Sequence, residues 1–131
     1  MRTKLMMVVV AGLAVALGGC ASAPAGSMSK GELATVRSSQ TKVRVGESKD
    51  GALKSYGDKA NKVRMSSASL EGAAIEEWKI EAFNDDGDRG RDLFVTFLYF
   101  RNDVLVDMSD TRLDFRNNPA LTARWAHPGA K

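Results

Sequence analysis

Cys20 is the only cysteine in this 131-residue chain, so it cannot close an internal disulfide. A lone thiol calls for another use, and a thiolate is a nucleophile able to accept a carbon substituent. It closes the stretch Leu17-Gly18-Gly19-Cys20, whose small residues let an extended backbone enter a narrow protease site. Other residue types suited to chemistry are sparse. His127 is the only histidine and stands before Pro128 near the C-terminus. An imidazole placed there reads as solvated, since acid–base work needs a positioned group with a tuned pKa. No serine sits in a Gly-x-Ser-x-Gly elbow, and there is no glycine-rich phosphate loop. One cysteine and one histidine exclude a Cys/His zinc site. The acidic stretch Asn84-Asp85-Asp86-Gly87-Asp88-Arg89-Gly90 has the look of a calcium loop. Counted from Asn84, Arg89 stands where glycine is needed and Val95 where the bidentate glutamate belongs. Counted from Asp85, Gly90 fits, but Gly87 and Arg89 fall at ligand positions and Thr96 ends the loop. It reads as a solvated turn. Glu76, Glu77 and Glu81 gather around Trp78, and alternation along a strand makes them a polar outer face. The chain therefore reads as a non-enzyme, with no catalytic residue, cofactor or metal ligand.

Ahead of Cys20 come two positive charges, Arg2 and Lys4, and an apolar run over residues 5–17. A charged start, a short apolar middle and small residues before a cut form a secretory signal peptide, here residues 1–19. The run is shorter than the roughly 20 residues a helix needs to span a bilayer. Leu17-Gly18-Gly19-Cys20 resembles the lipobox of bacterial lipoproteins, whose signal peptidase cuts just before the cysteine. The resemblance implies that Cys20 is lipidated, through a diacylglyceryl thioether and, in many Gram-negative members, an N-acyl group such as palmitate. Each buried methylene contributes about 0.8 kcal/mol and one chain alone binds marginally, so several chains are needed for a firm anchor. In enteric-like lipoproteins an Asp after the cysteine retains the protein at the inner membrane. Ala21 stands there, which implies the outer membrane, with the domain facing the periplasm.

Loss of Arg2 and Lys4 with the signal takes the net charge from +3 to +1. The distribution is uneven: residues 30–64 carry nine basic and four acidic side chains, residues 65–131 eight and twelve. A basic segment near a lipid anchor sits close to anionic headgroups, where each charge is worth on the order of 1 kcal/mol. A solvated helix face explains it equally. A near-neutral, anchored chain is a poor nucleic-acid binder.

Residues 20–29 are small, with one Pro, and read as a flexible lipidated tether. Residues 30–116 read as one α+β domain without disulfide support. Leu33 and Val36 share a helix face, and Val43 and Val45 then alternate with Lys42 and Arg44 in an extended segment. The spacing predicts a second helix over 48–56, capped by Ser48, carrying Ala52, Leu53 and Tyr56, and stopped by Gly57. Residues 58–72 read as connection, with a possible strand at 62–65. From residue 74 the period becomes two: Trp78, Ile80 and Ala82 point one way, Glu77, Lys79 and Glu81 the other. A turn over 84–92 leads to a strand over 93–101 that is apolar on both faces. Asn102-Asp103 then forms a tight hairpin into a third strand over 104–108. The expected fold is two short N-terminal helices packed on a three-stranded antiparallel meander. Residues 113–115 flank the sheet. Residues 117–131 are a C-terminal tail in which Leu121 and Trp125, four apart, make one packed helical turn before the end frays.

With a lipobox ahead of it, the pattern Val43, Gly46, Ser48, Leu53, Gly57, Trp78, then Phe97 and Phe100, resembles the SmpA/OmlA (BamE-like) family of small outer-membrane lipoproteins. The resemblance covers residues 41–108. It implies two short helices on a three-stranded sheet and a non-enzymatic accessory role beside the machinery that assembles outer-membrane β-barrels. The chain departs from the family pattern at Glu47, at Asp58-Lys59-Ala60 after Gly57, and at Lys79-Ile80 after Trp78. A related unit occurs in inhibitor-like domains, so a lipid-tethered periplasmic inhibitor or small-ligand-binding module is the alternative. Tyr56, Trp78, Tyr99 and Trp125 are the candidates for partner contact, with burial in the core as the competing reading for each.

Overall fold

A computed structural model describes residues 26–85 and 90–127. Cys20 and its lipobox, and residues 86–89 of the acidic turn, lie outside the described residues. The first helix, α1 (Lys30–Ser39), starts at a full capping box: Ser29 accepts from the Glu32 N–H while the Glu32 carboxylate accepts from the Ser29 N–H. The second, α2 (Lys49–Lys54), is capped by Ser48 as its sequence predicts. Gly57 then turns the chain at φ 82°, a conformation that costs glycine nothing.

Four antiparallel strands follow, β1 (Asn61–Leu70), β2 (Ala73–Asp85), β3 (Arg91–Arg101) and β4 (Val104–Ser109), in the order β1-β2-β3-β4. The fold class is α+β, but the meander has four strands rather than three. The extra strand is β1, expected to be mostly connection. Its hydrophobic alternation is broken by a bulge between Arg64 and Ser66. Before the bulge, Lys62 and Arg64 lie opposite Ile80 and Trp78; after it, Ser66 and Ala68 lie opposite Glu77 and Ile75. One strand thus serves both faces of the sheet, and no period-two signal survives. Glu71-Gly72, both at positive φ, close the β1–β2 hairpin, and Asn102-Asp103 close β3–β4 in the same way.

Both sheet faces are covered. On one, α1, α2 and the turn after α2 pack Leu33, Val36, Ala52 and Tyr56 onto Ile80, Ala82, Leu98 and Phe100. On the other, a 3-10 turn (Phe115–Asn117) and a helix, α3 (Pro119–Ala126), lay Phe115, Leu121 and Trp125 over Ile75, Tyr99 and Val106. Pro119 opens α3, where its missing N–H costs nothing. The C-terminal residues expected to be a tail thus form the second layer, with Trp125 only 1% exposed.

The N-terminal boundary also moves. Met28, placed by sequence in the flexible tether, is buried against the helix-face core. Its N–H donates to Phe83 O at 2.9 Å, and its carbonyl accepts from Asn84 Nδ2 at 2.6 Å. Val43 is buried as expected, but Val45 is 47% exposed, because residues 41–47 are turns and not a strand. Among the described residues no helix is long and apolar enough to cross a membrane.

Candidate functional site

Glu77 lies on the β2 face that sequence alternation assigns to solvent, yet it is 1% exposed. The C-terminal layer buries it. A carboxylate removed from water must be paired and hydrogen-bonded, and here every partner is present. Ser66 Oγ donates to Oε1 at 3.0 Å from β1, and the Tyr99 hydroxyl donates to Oε2 at 2.7 Å from β3. Arg112, after β4, donates to Oε1 through Nε at 3.0 Å and Nη2 at 2.9 Å. The Tyr99 oxygen in turn accepts from the Leu113 N–H at 2.7 Å. Two strands, a buried acid and the chain leaving the sheet are tied at one point.

The rest of that chain is fastened by polar contacts over an aromatic cluster. Arg116 Nη2 donates to the Ser67 carbonyl at 2.8 Å, on the β1 edge, and its guanidinium sits 5.6 Å from the Phe115 ring centroid. Trp125 stacks on Tyr99 at 5.1 Å and 26°, and Phe115 meets Tyr99 edge-on at 6.0 Å. Asp107 Oδ2, on β4, accepts from Trp125 Nε1 at 2.9 Å and Arg124 Nη2 at 2.7 Å.

Between β1 and residues 112–116 an open cleft of about 260 Å³ remains, with Glu77 and Ser66 on one wall and Arg112, Asp114 and Arg116 on the other. Arg112 is half in solvent, its side chain 54% exposed. The Asp114 carboxylate accepts from Asn117 Nδ2 at 3.0 and 3.2 Å. Among the described residues Arg116 has no carboxylate partner.

Burial pushes the Glu77 carboxyl up, but the hydrogen bonds from Arg112, Tyr99 and Ser66 outweigh it and hold the pKa below the usual carboxylate range. Burial raises Tyr99, and the neighbouring Glu77 raises it further against the opposing Leu113 N–H. The acid is thus charged at neutral pH and the phenol neutral. A folded-state pKa below the unfolded one adds stability that is present above the ordinary glutamate value, about 4.3, and is lost as pH falls through the depressed folded value. Acid is therefore expected to loosen the C-terminal layer before the helix-face core. In a Trp78→Phe chain, Trp125 emission shifts to the red below about pH 4 while far-ultraviolet dichroism persists. Coincident loss of both signals contradicts a separately fastened layer.

No family model, curated protein or solved structure matches this chain. The site is therefore read from its own residues. Of the four aromatic candidates for partner contact, the fold takes three inside: Tyr56 is 2%, Tyr99 0% and Trp125 1% exposed. That corrects their reading as contact surface, since a partner reaches none of these rings without opening a core. Burial first, then the charge of Glu47, pushes Tyr56 up to about 12, and its hydroxyl donates to Gln40 Oε1 at 2.5 Å. Gln40 Nε2 passes the chain of bonds to the fully buried Thr96 at 3.1 Å. Trp78 is partly buried, packed on the helix-face core, with Nε1 donating to Glu76 at 2.8 Å. His127 is exposed at the end of α3.

The uneven charge of the two halves also has a folded counterpart. Arg37 pairs with Asp92, and Lys49 with both Glu76 and Asp103, so basic residues of the first half meet acids of the second. Lys59 pairs with Glu32 within the first half and, ahead of the Ser29 bonds, holds that carboxyl down to about 2.

Sequence reasoning overlooked Ser66, Arg112, Asp114 and Arg116. Nothing in their spacing shows the cleft, because β1 and the segment after β4 meet only through the fold. The one legible hint was Glu77, an acid in a strand whose neighbours Ile75 and Tyr99 share its face.

Proposed function

We propose that this chain is a lipid-anchored, non-enzymatic binding protein of the outer membrane, facing the periplasm, whose domain takes a small polar ligand in the Arg112–Arg116 cleft. The observation that carries the binding part is the pair of guanidiniums on that cleft. Each is fixed by its own bonds, Arg112 to Glu77 and Arg116 to Ser67, and each keeps donors beyond them. Ready-made donors bind without the ordering cost of free side chains. Both sheet faces are occupied by cores, which leaves surface clefts, this one among them, and the sheet edges for recognition.

The anchor rests on Leu17-Gly18-Gly19-Cys20 and on Met28, which enters the core eight residues after Cys20. The non-enzymatic reading rests on Glu77. A general base needs a pKa near the working pH, and this carboxylate has a depressed pKa and four donor atoms around it. Cys20→Ala is expected to leave the domain folded but to move it from the outer-membrane fraction to the soluble periplasm or the inner membrane. Membrane fractionation with a dichroism check of the fold reads both. A Cys20→Ala chain still found in the outer membrane removes the anchor from the proposal.

A second reading, an accessory subunit of β-barrel assembly, is favoured by the BamE-like pattern over residues 41–108 and by the edge of β1. Among the described residues that edge has no strand beside it, and Val63 on it is 39% exposed. An unpaired edge is where a partner strand adds. β4 is less open, because Gly46 and Glu47 already bond to Leu105.

A further inference from the structure

We infer that the cleft between β1 and residues 112–116 binds an amino-acid-type zwitterion, its carboxylate on Arg112 and Arg116 and its ammonium on Asp114. The inference rests on the reading of this cleft as the binding site and names its ligand class.

The donors come first. Arg112 gives Nε and Nη2 to Glu77, and its Nη1 makes no hydrogen bond among the described residues. Arg116 gives Nη2 to Ser67, and its Nε and Nη1 are likewise unused among the described residues. A guanidinium offers five N–H groups in a fixed fork that matches a carboxylate. Both forks border the same space.

The charges decide between a simple anion and a zwitterion. Glu77 is buried and neutralises Arg112 at close range. Arg116 and Asp114 remain on the cleft, one of each sign. A phosphate or a bare carboxylate gains from Arg116 but is repelled by Asp114. A neutral molecule with separated charges meets both. Among the described residues Asp114 accepts only from Asn117 and retains lone pairs, since a carboxylate offers about four acceptor sites.

The size agrees. About 260 Å³ is below the roughly 300–1,000 Å³ that holds a drug-sized ligand, and suits one or two residues. Leu113 and Phe115 line the space and offer apolar surface to a small side chain. The same chemistry comes from a free amino acid or from the carboxyl end of a short peptide.

The test uses residues 20–131 with Cys20→Ser, which keeps every described residue and both cores. The Nε–H signals of Arg112 and Arg116 are followed by NMR at constant ionic strength. The probes are alanine, dialanine, N-acetylalanine, alaninamide and inorganic phosphate. Alanine and dialanine are expected to shift both signals saturably at millimolar concentrations or below. Whichever is tighter tells a free amino acid from a peptide end. Alaninamide, without the carboxylate, is expected to shift neither. Arg116→Gln is expected to weaken alanine by about tenfold, the worth of one charged hydrogen bond. Asp114→Asn is expected to weaken alanine but not N-acetylalanine, which has no ammonium. An alaninamide response equal to that of alanine, or indifference to Asp114→Asn, overturns the ligand class. A saturable shift with phosphate alone also overturns the class but leaves the cleft as the site. No shift with any probe removes both.

Discussion

Trp125→Ala is expected to cost about 3–5 kcal/mol of folding stability, the range for an aromatic removed from a packed core. Only six residues follow it in this sequence, a place where substitutions are ordinarily mild. Its ring is 1% exposed, stacks on Tyr99 and touches Phe115 at a centroid distance of 5.8 Å. Its loss leaves a cavity under α3 and removes one donor from Asp107. Leu121 and the Arg124–Asp107 ion pair then hold the helix on the sheet. A loss of this size lowers the Tm of a domain of about 100 residues by about 12 °C or more. Thermal and urea unfolding measure it. A cost under about 1 kcal/mol means that α3 does not cover the sheet.

Arg112→Ala is the second large effect, and it falls on a half-exposed side chain. Substitutions at such places usually change stability by about 0.5 kcal/mol or less. Here the expected cost is well above that, because the carboxylate left behind is buried. Removing one partner of a fully buried ion pair costs about 3–5 kcal/mol, and solvent around Arg112 reduces that. The damage is expected to depend on charge. Adding Glu77→Gln to Arg112→Ala restores part of the stability, since an amide needs no counter-charge, its oxygen still accepts from Tyr99 and its NH2 donates to the Ser66 hydroxyl oxygen. Urea unfolding of the two single variants and the double variant gives the coupling. Simple additivity contradicts a direct Glu77–Arg112 pairing.

Local patterns carried well from sequence to fold. Ser48 and Gly57 bound α2, and Trp78, Ile80 and Ala82 share the helix face. Asn102-Asp103 makes the β3–β4 turn because both residues tolerate positive φ. Each of these depends on neighbours in the chain. The failures share the opposite property. β1 escaped because a bulge after Arg64 moves its side chains from one face to the other. Glu77 looked solvated because the layer that buries it comes some forty residues later in the chain. Met28 looked like tether because its partners, Phe83 and Asn84, stand at the far end of β2. The cleft is the extreme case. Its walls come from β1, β2 and the chain after β4, and no residue in it is notable until those three meet.

The Glu77–Arg112 pairing is the joint on which both the C-terminal layer and the cleft depend. The most direct test is a pH titration of the Glu77 carboxyl carbon by NMR, with each carboxyl assigned. The pairing predicts a midpoint below the ordinary glutamate value of about 4.3, and a rise when Arg112 is replaced by alanine. A midpoint at or above that value, unmoved by Arg112→Ala, contradicts a buried charged acid held by Arg112, Tyr99 and Ser66.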